Sequence, residues 1–485
     1  MNNDNLFDYA RIFNEIPNAP FLYHATLERI IKFLEGLGIK NISEKNKLNQ
    51  GAYALDNYCL YVKFSRGNPN SPLIIDSHID HPGFVLNDRG VGIAFGSIGL
   101  SRLKKLLDTS PPDIDIYNNK GEFQCRKKIK NYKYDAKPII ELEDNNQVPN
   151  NSHGIWHLPT FSEDSDFVYM KNADNMIASA IMMSLINDIA NQPTIYKNIE
   201  VTFIFSFLEE VFEVSATHVA LKRNTPFDVI NTRCNIIVLE SMQSVPLHSD
   251  ENILQNKLGD QNLKDLRLFE DQVFYSPELR QKFINEKSIN DIYSKYGLNL
   301  PNYEDGLFVK INDTDCVYGI HFKNQQNTIE EKILNIVESE NIPYQHTVSG
   351  GACNGTSYSL FPTTSSVVTL NIPNRYKHNI GDDGAIVPEQ IKKDDIANVY
   401  KILSNLLLFN TNIGPSKGLS TLLKSSNLSY DMSVLRKLQI ERSNVAWGAQ
   451  KRLARRKYFP DDLIEETIFG IRGIKARLRE RMKII

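Results

Sequence analysis

The chain has 485 residues, of which 41% are hydrophobic and 23% are charged, and its formal net charge is −3. This length favours two to four domains or subdomains, because a single hydrophobic core rarely extends beyond roughly 250–300 residues. The balanced charge does not indicate nucleic acid or a membrane surface as the main partner.

The cysteines and the apolar segments indicate the compartment. Five widely spaced cysteines are typical of a reducing environment and argue against a disulfide framework. The first residues, MNNDNLFDYARIF, lack the basic and apolar regions of a signal peptide. No apolar run approaches the roughly 20 residues that a membrane helix needs. We therefore expect a cytoplasmic protein that does not associate with membranes.

The first part of the chain mixes helices and strands. Helical spacing occurs in FDYARIFNEI and in FLYHATLERIIKFLEGLGI, whereas YCLYVKF and SPLIIDSHID have the pattern of strands. From about residue 91 to 161 the chain contains short strand-like pieces separated by turns. This change predicts a small β-rich domain, 91–161, inserted between two parts of a catalytic domain, 1–90 and 162–410.

Strands and helices alternate again after residue 161. Strand patterns occur in DFVYMKNA, VTFIFSFLEE, CNIIVLES and SSVVTLNIP. Helical patterns occur in NMIASAIMMSLINDIA, which Asp174 or Asn175 could cap, in SATHVALKR, and in EQIKKDDIANVYKILSNLLLF. Thr328 and Glu331 have the spacing of a capping box before another helix. The alternation predicts the α/β class, with a mixed sheet flanked by helices.

Two segments do not fit this alternation. Residues from about 251 to 303 are polar and helix-prone, which indicates a surface insertion. The predicted C-terminal extension, 411–485, is helical and basic, with 16 Lys and Arg against 7 Asp and Glu from residue 416 onwards. A solvated helix packing on an acidic body or a neighbouring subunit is the favoured interpretation. Nucleic-acid binding is the weaker alternative, because aromatic residues are sparse there.

Histidines and acids occur at or beside the ends of five predicted elements. In open α/β sheets, sites form just beyond the carboxyl ends of the strands. Each residue alone has an ordinary explanation as an exposed histidine, a helix cap or a solvated carboxylate. Five such places together predict a functional site, and the residues are His78, Asp80, His81, Asp174, Glu209, Glu210, Glu240 and His378.

The number and type of these side chains suit two metal ions. Two first-row divalent ions need about two histidines and three or four carboxylates, one of which can bridge. Such a pair can activate water and polarise a carbonyl, and a further carboxylate is needed to accept the proton. Glu209 is available as this base, and Asp80 can orient the His78 imidazole. The predicted metal ligands are His78, Asp174, Glu210, Glu240 and His378.

The order of these motifs resembles a known family. The chain shows HxDxxG, then Asp-Asn, then Glu-Glu, then an acid after a strand, then RYxH. This order is similar to that of the glutamyl-aminopeptidase and deblocking, or tetrahedral, aminopeptidases, and the similarity spans about residues 6–408. The resemblance implies a zinc-peptidase-like fold and two divalent ions, Zn²⁺ first and Co²⁺ or Mn²⁺ as alternatives.

The resemblance also implies a role for each residue. Asp174 would bridge the two ions, His78 and Glu240 would complete one site, and Glu210 and His378 would complete the other. Segment 91–161 would be the PDZ-like dimerisation domain of assemblies that range from dimers to dodecamers. The implied reaction removes N-terminal residues from peptides with metal-activated water and Glu209 as general base.

The chain also departs from the family pattern. His81 and Pro82 replace an acid and an aliphatic residue, and Ala352-Cys353-Asn354 follows the Gly-Gly segment where Thr-Asp-Ala is usual. We predict that His81, Cys353 and Arg375 contact substrate. Two alternatives remain open: a di-metal carboxypeptidase or amide deacylase, and a non-catalytic binding or scaffold relative.

Overall fold

The computed structural model describes most of the chain between residues 4 and 408. The described ranges are 4–42, 48–69, 72–96, 110–134, 138–143, 148–149, 151–211, 213–220, 225–229, 234–243, 303–310, 312–313, 316–317, 328–347, 353–360, 366–381 and 385–408. The predicted insertion, except for Tyr303, and the predicted basic extension lie outside these residues.

Helices flank a large sheet. They are α1 (Asp4–Glu15), α2 (His24–Gly36), α3 (Ala173–Asn191), α4 (Val214–Ala220), α5 (Ile329–Ser339), α6 (Asn354–Leu360) and α7 (Lys393–Leu408). Within the described residues, no helix combines the length and apolarity needed to cross a bilayer.

The strands form a large sheet, a barrel and one short pair. The strands of the first half are β1 (Lys40–Asn41), β2 (Ala52–Leu55), β3 (Cys59–Arg66), β4 (Leu73–His78), β5 (Gly83–Leu86), β6 (Val91–Phe95), β7 (Asp113–Tyr117), β8 (Phe123–Tyr134), β9 (Pro138–Leu142) and β10 (Ser152–Trp156). Those of the second half are β11 (Ser162–Glu163), β12 (Phe167–Met170), β13 (Ile199–Ser206), β14 (Asn235–Gln243), β15 (Leu307–Lys310), β16 (Asn312–Asp313), β17 (Cys316–Val317), β18 (Tyr344–Thr347), β19 (Ser366–Asn374) and β20 (Glu389–Lys392).

The large sheet has 12 strands and is mixed, as the sequence predicted. Ten of them follow the order β1-β2-β3-β13-β4-β14-β19-β20-β12-β11, and β15 and β18 pair beside β19. At its centre β13, β4, β14 and β19 run parallel. Because parallel strands end at the same edge of a sheet, their carboxyl ends are brought together at one place.

The barrel contains strands from a single stretch of the chain. It closes in the order β10-β5-β6-β9-β8-β7, and β7 pairs with β10. It has its own apolar core, which includes Phe84, Ile116, Ile140 and Trp156. The barrel includes β5, which precedes the predicted start of the β-rich domain at residue 91.

Two predictions at helix ends are wrong, and one is confirmed. Neither Asp174 nor Asn175 caps α3, because Asp174 Oδ1 and Asn175 Oδ1 have no hydrogen-bond partner among the described residues and Asp174 Oδ2 lies against His378. Asn172, which precedes α3, makes no capping side-chain hydrogen bond either. The predicted helix from residue 389 begins only at Lys393, because 389–392 pair with β12 as strand β20. Thr328 does cap α5, because its side chain accepts a hydrogen bond from the Glu331 N–H.

Candidate metal centre

The four central parallel strands deliver most of the predicted site residues. His78 ends β4, level with Ser206 at the end of β13. In β14 the register pairs Val238 with Asp76, so Glu240 lies level with His78. His378 follows β19 in a short 3₁₀ turn. Sheet register therefore brings together residues that are far apart in the sequence.

Asp174 lies between the two histidines. Its Oδ1 is 3.4 Å from His78 Nε2, and its Oδ2 is 3.1 Å from His378 Nε2. The Asp174 side chain is only 1% exposed. One carboxylate with each oxygen directed at a different imidazole has the arrangement that a ligand bridging two ions needs.

Three atoms on the His78 side fit a cation. His78 Nε2 is 3.5 Å from Glu240 Oε2, and His78 Nε2, Asp174 Oδ1 and Glu240 Oε2 are buried with no hydrogen-bond partner among the described residues. Buried polar atoms are seldom left in this state. Ligands bonded to zinc at about 2.0–2.1 Å in a tetrahedron are roughly 3.3–3.4 Å apart, close to the spacing observed here.

A second group fits a cation on the other side of Asp174. His378 Nε2 is 3.5 Å from Glu210 Oε1, and the ligand atoms of Asp174, Glu210 and His378 all lie within 4.8 Å of one another. His78, Glu209 and Glu240 form a comparable group. All five predicted ligands and the predicted base are therefore in one cluster, which we call the carboxylate–histidine cluster.

Asp80 positions both the histidine and the Glu-Glu turn. Its backbone carbonyl lies 2.9 Å from His78 Nδ1, and its Oδ1 lies 3.5 Å from the same atom. Its two carboxylate oxygens accept hydrogen bonds from the backbone N–H groups of Glu209 and Glu210, at 3.0 and 3.1 Å. The fully buried Asp80 thus fixes the imidazole and the segment that carries the two glutamates.

Glu209 and Glu210 lie beyond the end of the strand that the pattern VTFIFSFLEE predicts. Strand β13 ends at Ser206, so both glutamates lie in the turn that follows it. Glu209 Oε2 lies 4.0 Å from His78 Nε2, whereas Glu210 approaches His378. The turn, held by Asp80, directs the two side chains to different histidines.

The cluster contains more acid than its own bases can neutralise. Burial raises the pKa of Glu209 well above its usual value, and the charges of Glu210 and Glu240 raise it further, although His78 opposes them. Burial also raises the pKa of Glu210 to about 7. Burial lowers the pKa of His378, but Glu210 and Asp174 more than compensate and raise it to about 9. Added positive charge would stabilise this cluster.

Sequence reasoning missed Glu389. Its side chain is fully buried, and its two oxygens accept hydrogen bonds from the backbone N–H groups of Asp174 and His378, at 2.7 and 2.6 Å. His378 has a φ of 59°, a left-handed conformation that is costly for a residue with a side chain. Glu389 therefore holds the backbones of two predicted ligands in place. It was assigned to a helix, so no sequence signal placed it at this edge of the sheet.

Lys377 was also missed, although it precedes a predicted ligand. Its Nζ lies 3.2 Å from Asp174 Oδ2 and 3.4 Å from Glu240 Oε1, and its side chain is 15% exposed. Burial raises the pKa of Asp174, but Lys377 and the two histidines reverse this effect and hold it well below its usual value. A cation of the chain itself is therefore part of the cluster.

The three predicted substrate contacts have different surroundings. His81 is buried, with Nδ1 against the Asp174 carbonyl and Nε2 3.0 Å from Asn379 Oδ1, so it packs directly behind a predicted ligand. Cys353 Sγ lies 3.8 Å from the Thr369 hydroxyl of β19. The Arg375 guanidinium lies over the Tyr376 ring. These contacts of Cys353 and Arg375 place neither residue in the cluster, and the substrate roles stay predictions.

Solved structures share this fold. A TET aminopeptidase from a marine-sediment thaumarchaeon has a TM-score of 0.56 and 13% identity, with coverage of 84% of this chain and 97% of that one. The TET1 peptidase of Pyrococcus horikoshii has a TM-score of 0.53 and 14% identity, over 83% and 99%. An aminopeptidase from Desulfurococcus kamchatkensis has a TM-score of 0.54 and 12% identity, over 83% and 94%.

These similarities define the fold class. The chain has the zinc-peptidase-like α/β fold of the tetrahedral aminopeptidases, so the predicted fold class is confirmed. Sequence comparison adds nothing further, because no family model and no curated protein matches the chain. At such low identity the similarity concerns the fold, and the function has to be argued from the residues of the cluster.

Proposed function

We propose that the chain is a di-metal aminopeptidase-like hydrolase that removes N-terminal residues from peptides. The observation that carries this proposal is the position of Asp174, with one oxygen directed at each of two histidines. His78 and Glu240 complete one cation position, and Glu210 and His378 complete the other. We propose Zn²⁺ as the ion at both, with Co²⁺ or Mn²⁺ as alternatives.

The chain's own residues divide the remaining tasks. Divalent ions held by these groups supply Lewis acidity and make water more acidic. Glu209, whose side chain is 11% exposed, accepts a proton from the attacking water and returns it to the leaving amine. Asp80 holds the backbone of Glu209 and the imidazole of His78 in fixed positions relative to each other.

The test is the Glu209→Gln variant with aminoacyl anilides as substrates. We expect the metal content, measured by elemental mass spectrometry, to equal that of the wild type, and turnover to fall by about 10²–10⁴-fold because the base is lost. Glu200→Gln, at a partly buried ion pair with Lys63 near the start of β13, is the matched control and should retain activity. A fully active Glu209→Gln enzyme would refute the assignment.

The substrate class needs a separate panel. Aminoacyl anilides, N-acylated amino acids and N-blocked peptides distinguish an aminopeptidase from a carboxypeptidase or amide deacylase. Hydrolysis restricted to N-blocked compounds would exclude the aminopeptidase. Less than one bound ion per chain, with no hydrolysis after Zn²⁺, Co²⁺ or Mn²⁺ is added, would indicate a binding or scaffold protein instead.

We further propose that the chain forms homo-oligomers through the barrel region and acts in the cytoplasm. The support for assembly is that the P. horikoshii TET1 peptidase forms a tetrahedron or a large octahedral shell. The support for the compartment is the small number of cysteines. Light scattering of the purified protein tests the first point, and a monomer at micromolar concentration would contradict it.

A further inference from the structure

Lys377 forms an ion pair with one oxygen of the Asp174 carboxylate. Its Nζ is 3.2 Å from Asp174 Oδ2, which also lies 3.1 Å from His378 Nε2. Asp174 Oδ1, in contrast, has no hydrogen-bond partner among the described residues. The two oxygens of one carboxylate therefore have unequal surroundings.

Glu240 shows the same asymmetry. Its Oε1 accepts hydrogen bonds from Lys377 Nζ at 3.4 Å and from the Ser241 N–H at 3.0 Å. Its Oε2 lacks a hydrogen-bond partner among the described residues and lies 3.5 Å from His78 Nε2. Lys377 thus pairs with Asp174 Oδ2 and Glu240 Oε1, whereas Asp174 Oδ1 and Glu240 Oε2 are directed at His78.

We propose that Lys377 makes the two metal positions unequal. The position at His78, Asp174 Oδ1 and Glu240 Oε2 binds its ion first and more tightly. The position at Asp174 Oδ2, Glu210 and His378 binds second and more weakly, because its ion competes with the Lys377 ammonium for Oδ2. This inference rests on the proposed function, since it concerns the ions of the same site.

The physical basis is repulsion and shared ligands. A lysine ammonium is a compact charge on a flexible stem, and it repels a divalent ion only a few ångströms away in a poorly solvated site. Because the Lys377 side chain is flexible and 15% exposed, we expect it to move toward solvent when the second ion enters. The Lys377 ammonium therefore balances the charge of Asp174 in the metal-free protein, and the second ion has to displace it.

The test compares Lys377→Met with Lys377→Arg. Methionine removes the charge and keeps the stem, whereas arginine keeps the charge. Lys401→Met, at an exposed ion pair with Glu340, controls for the loss of a surface lysine. Chelator-treated protein is titrated with Co²⁺ by calorimetry, and the visible absorption of the bound ion reports its coordination.

We expect two unequal binding steps in the wild type and in the Lys377→Arg and Lys401→Met variants. In Lys377→Met the second step should tighten by about tenfold or more, and by more than the first, because only the second ion shares Oδ2 with the ammonium. Thermal unfolding supplies a readout without metal. Metal-free Lys377→Met should melt at a lower temperature than the wild type, because Asp174 and Glu240 lose their countercharge.

The outcomes separate this inference from the proposed function. Two bound ions with an unchanged second step in Lys377→Met would overturn the role of Lys377 and leave the di-metal hydrolase standing. No Co²⁺ binding in the wild type would overturn the proposed function and this inference with it. If Lys377→Met does not fold, Lys377→Gln, which is also uncharged, replaces it with the same expected results.

Discussion

The large sheet and the barrel bury different kinds of side chain. At the carboxyl ends of β4, β13, β14 and β19, the sheet buries a group of carboxylates and histidines whose charges strongly shift one another's pKa values. The barrel core consists of apolar side chains such as Phe84, Ile116 and Trp156. Both regions are made of close-packed strands, but among the residues that the structure describes the concentration of buried charge lies in the sheet.

The difference supports the sheet edge as the place of the proposed chemistry. Buried acids that lack countercharges lower the stability of a fold, so a site that contains several of them needs a functional explanation. The barrel closes its own hydrogen bonds and fills its interior, which is the behaviour of a stable scaffold. Changes in the sheet should therefore alter function first, and changes in the barrel should alter stability alone.

The largest effect should come from Asp174→Ala. Loss of the shared carboxylate should remove both cation positions and lower turnover by about 10³-fold or more, since metal ions contribute several kcal/mol to such reactions. Elemental analysis and aminoacyl-anilide assays measure both effects. Asp115→Ala in the barrel, where the partly buried Asp115 pairs with Arg126 and His157, should keep metal and turnover. If both variants lost metal and turnover to the same extent, the proposed difference in function between the sheet and the barrel would be wrong.

Matched truncations in the two cores come next. Ile75 of β4 and Ile116 of β7 are both fully buried. Each Ile→Ala change should lower the free energy of unfolding by about 2–5 kcal/mol, as a urea titration would show. Turnover per folded molecule should fall only for Ile75→Ala, because β4 also carries His78. A loss of turnover in folded Ile116→Ala would show that the barrel takes part in the chemistry.

A smaller effect should come from Glu389→Gln. The amide keeps one acceptor oxygen, so one of the two N–H groups, that of Asp174 or that of His378, loses its partner. Groups that hold metal ligands in place typically contribute 10–100-fold to metal affinity, and a loss in this range is expected in a chelator competition assay. Glu163→Gln, at a surface pair with Lys393, is the control. Unchanged affinity in Glu389→Gln would contradict the positioning role.

The smallest effect concerns pH. Burial raises the pKa of Asp395, near the start of α7, to about 7 in the folded protein, against a pKa near 3.8 in the unfolded chain. The contribution of Asp395 to stability is therefore complete below pH 3.8 and is lost as the pH rises through 7. Asp395→Asn should stabilise metal-free protein on the order of 1–2 kcal/mol at pH 8 and hardly at all at pH 4.

The barrel should respond in the opposite direction. Burial lowers the pKa of His153, in β10, to about 4, so the stability that depends on its neutral form is lost as the pH falls from about 6.5 through 4. His153→Gln should remove this acid sensitivity in unfolding curves measured between pH 4 and 8. The same pH dependence in both variants would show that other groups control the titration of each region.

Most of the fold follows from local patterns, and the exceptions have identifiable causes. The buried strands and the Thr328 cap follow from residue type and spacing. The start of α7 was placed four residues early, because Glu389–Lys392 has no pattern that distinguishes a strand from the first turn of a helix. It becomes a strand through its pairing with β12, which local sequence cannot show. The separation of Glu209 from Glu210 likewise depends on the Asp80 carboxylate, 129 residues away from Glu209.

The sequence by itself determined the α/β class and the residue types at the strand ends, because strand periodicity and the chemistry of histidine and carboxylate ligands are local properties. Only the tertiary structure decided which oxygen of Asp174 faces which histidine. It also decided that Lys377 and Glu389 belong to the same cluster. Hydrogen bonds and charge interactions depend on separations of a few ångströms, and in this site those separations join Asp174 to His378, 204 residues further along the chain.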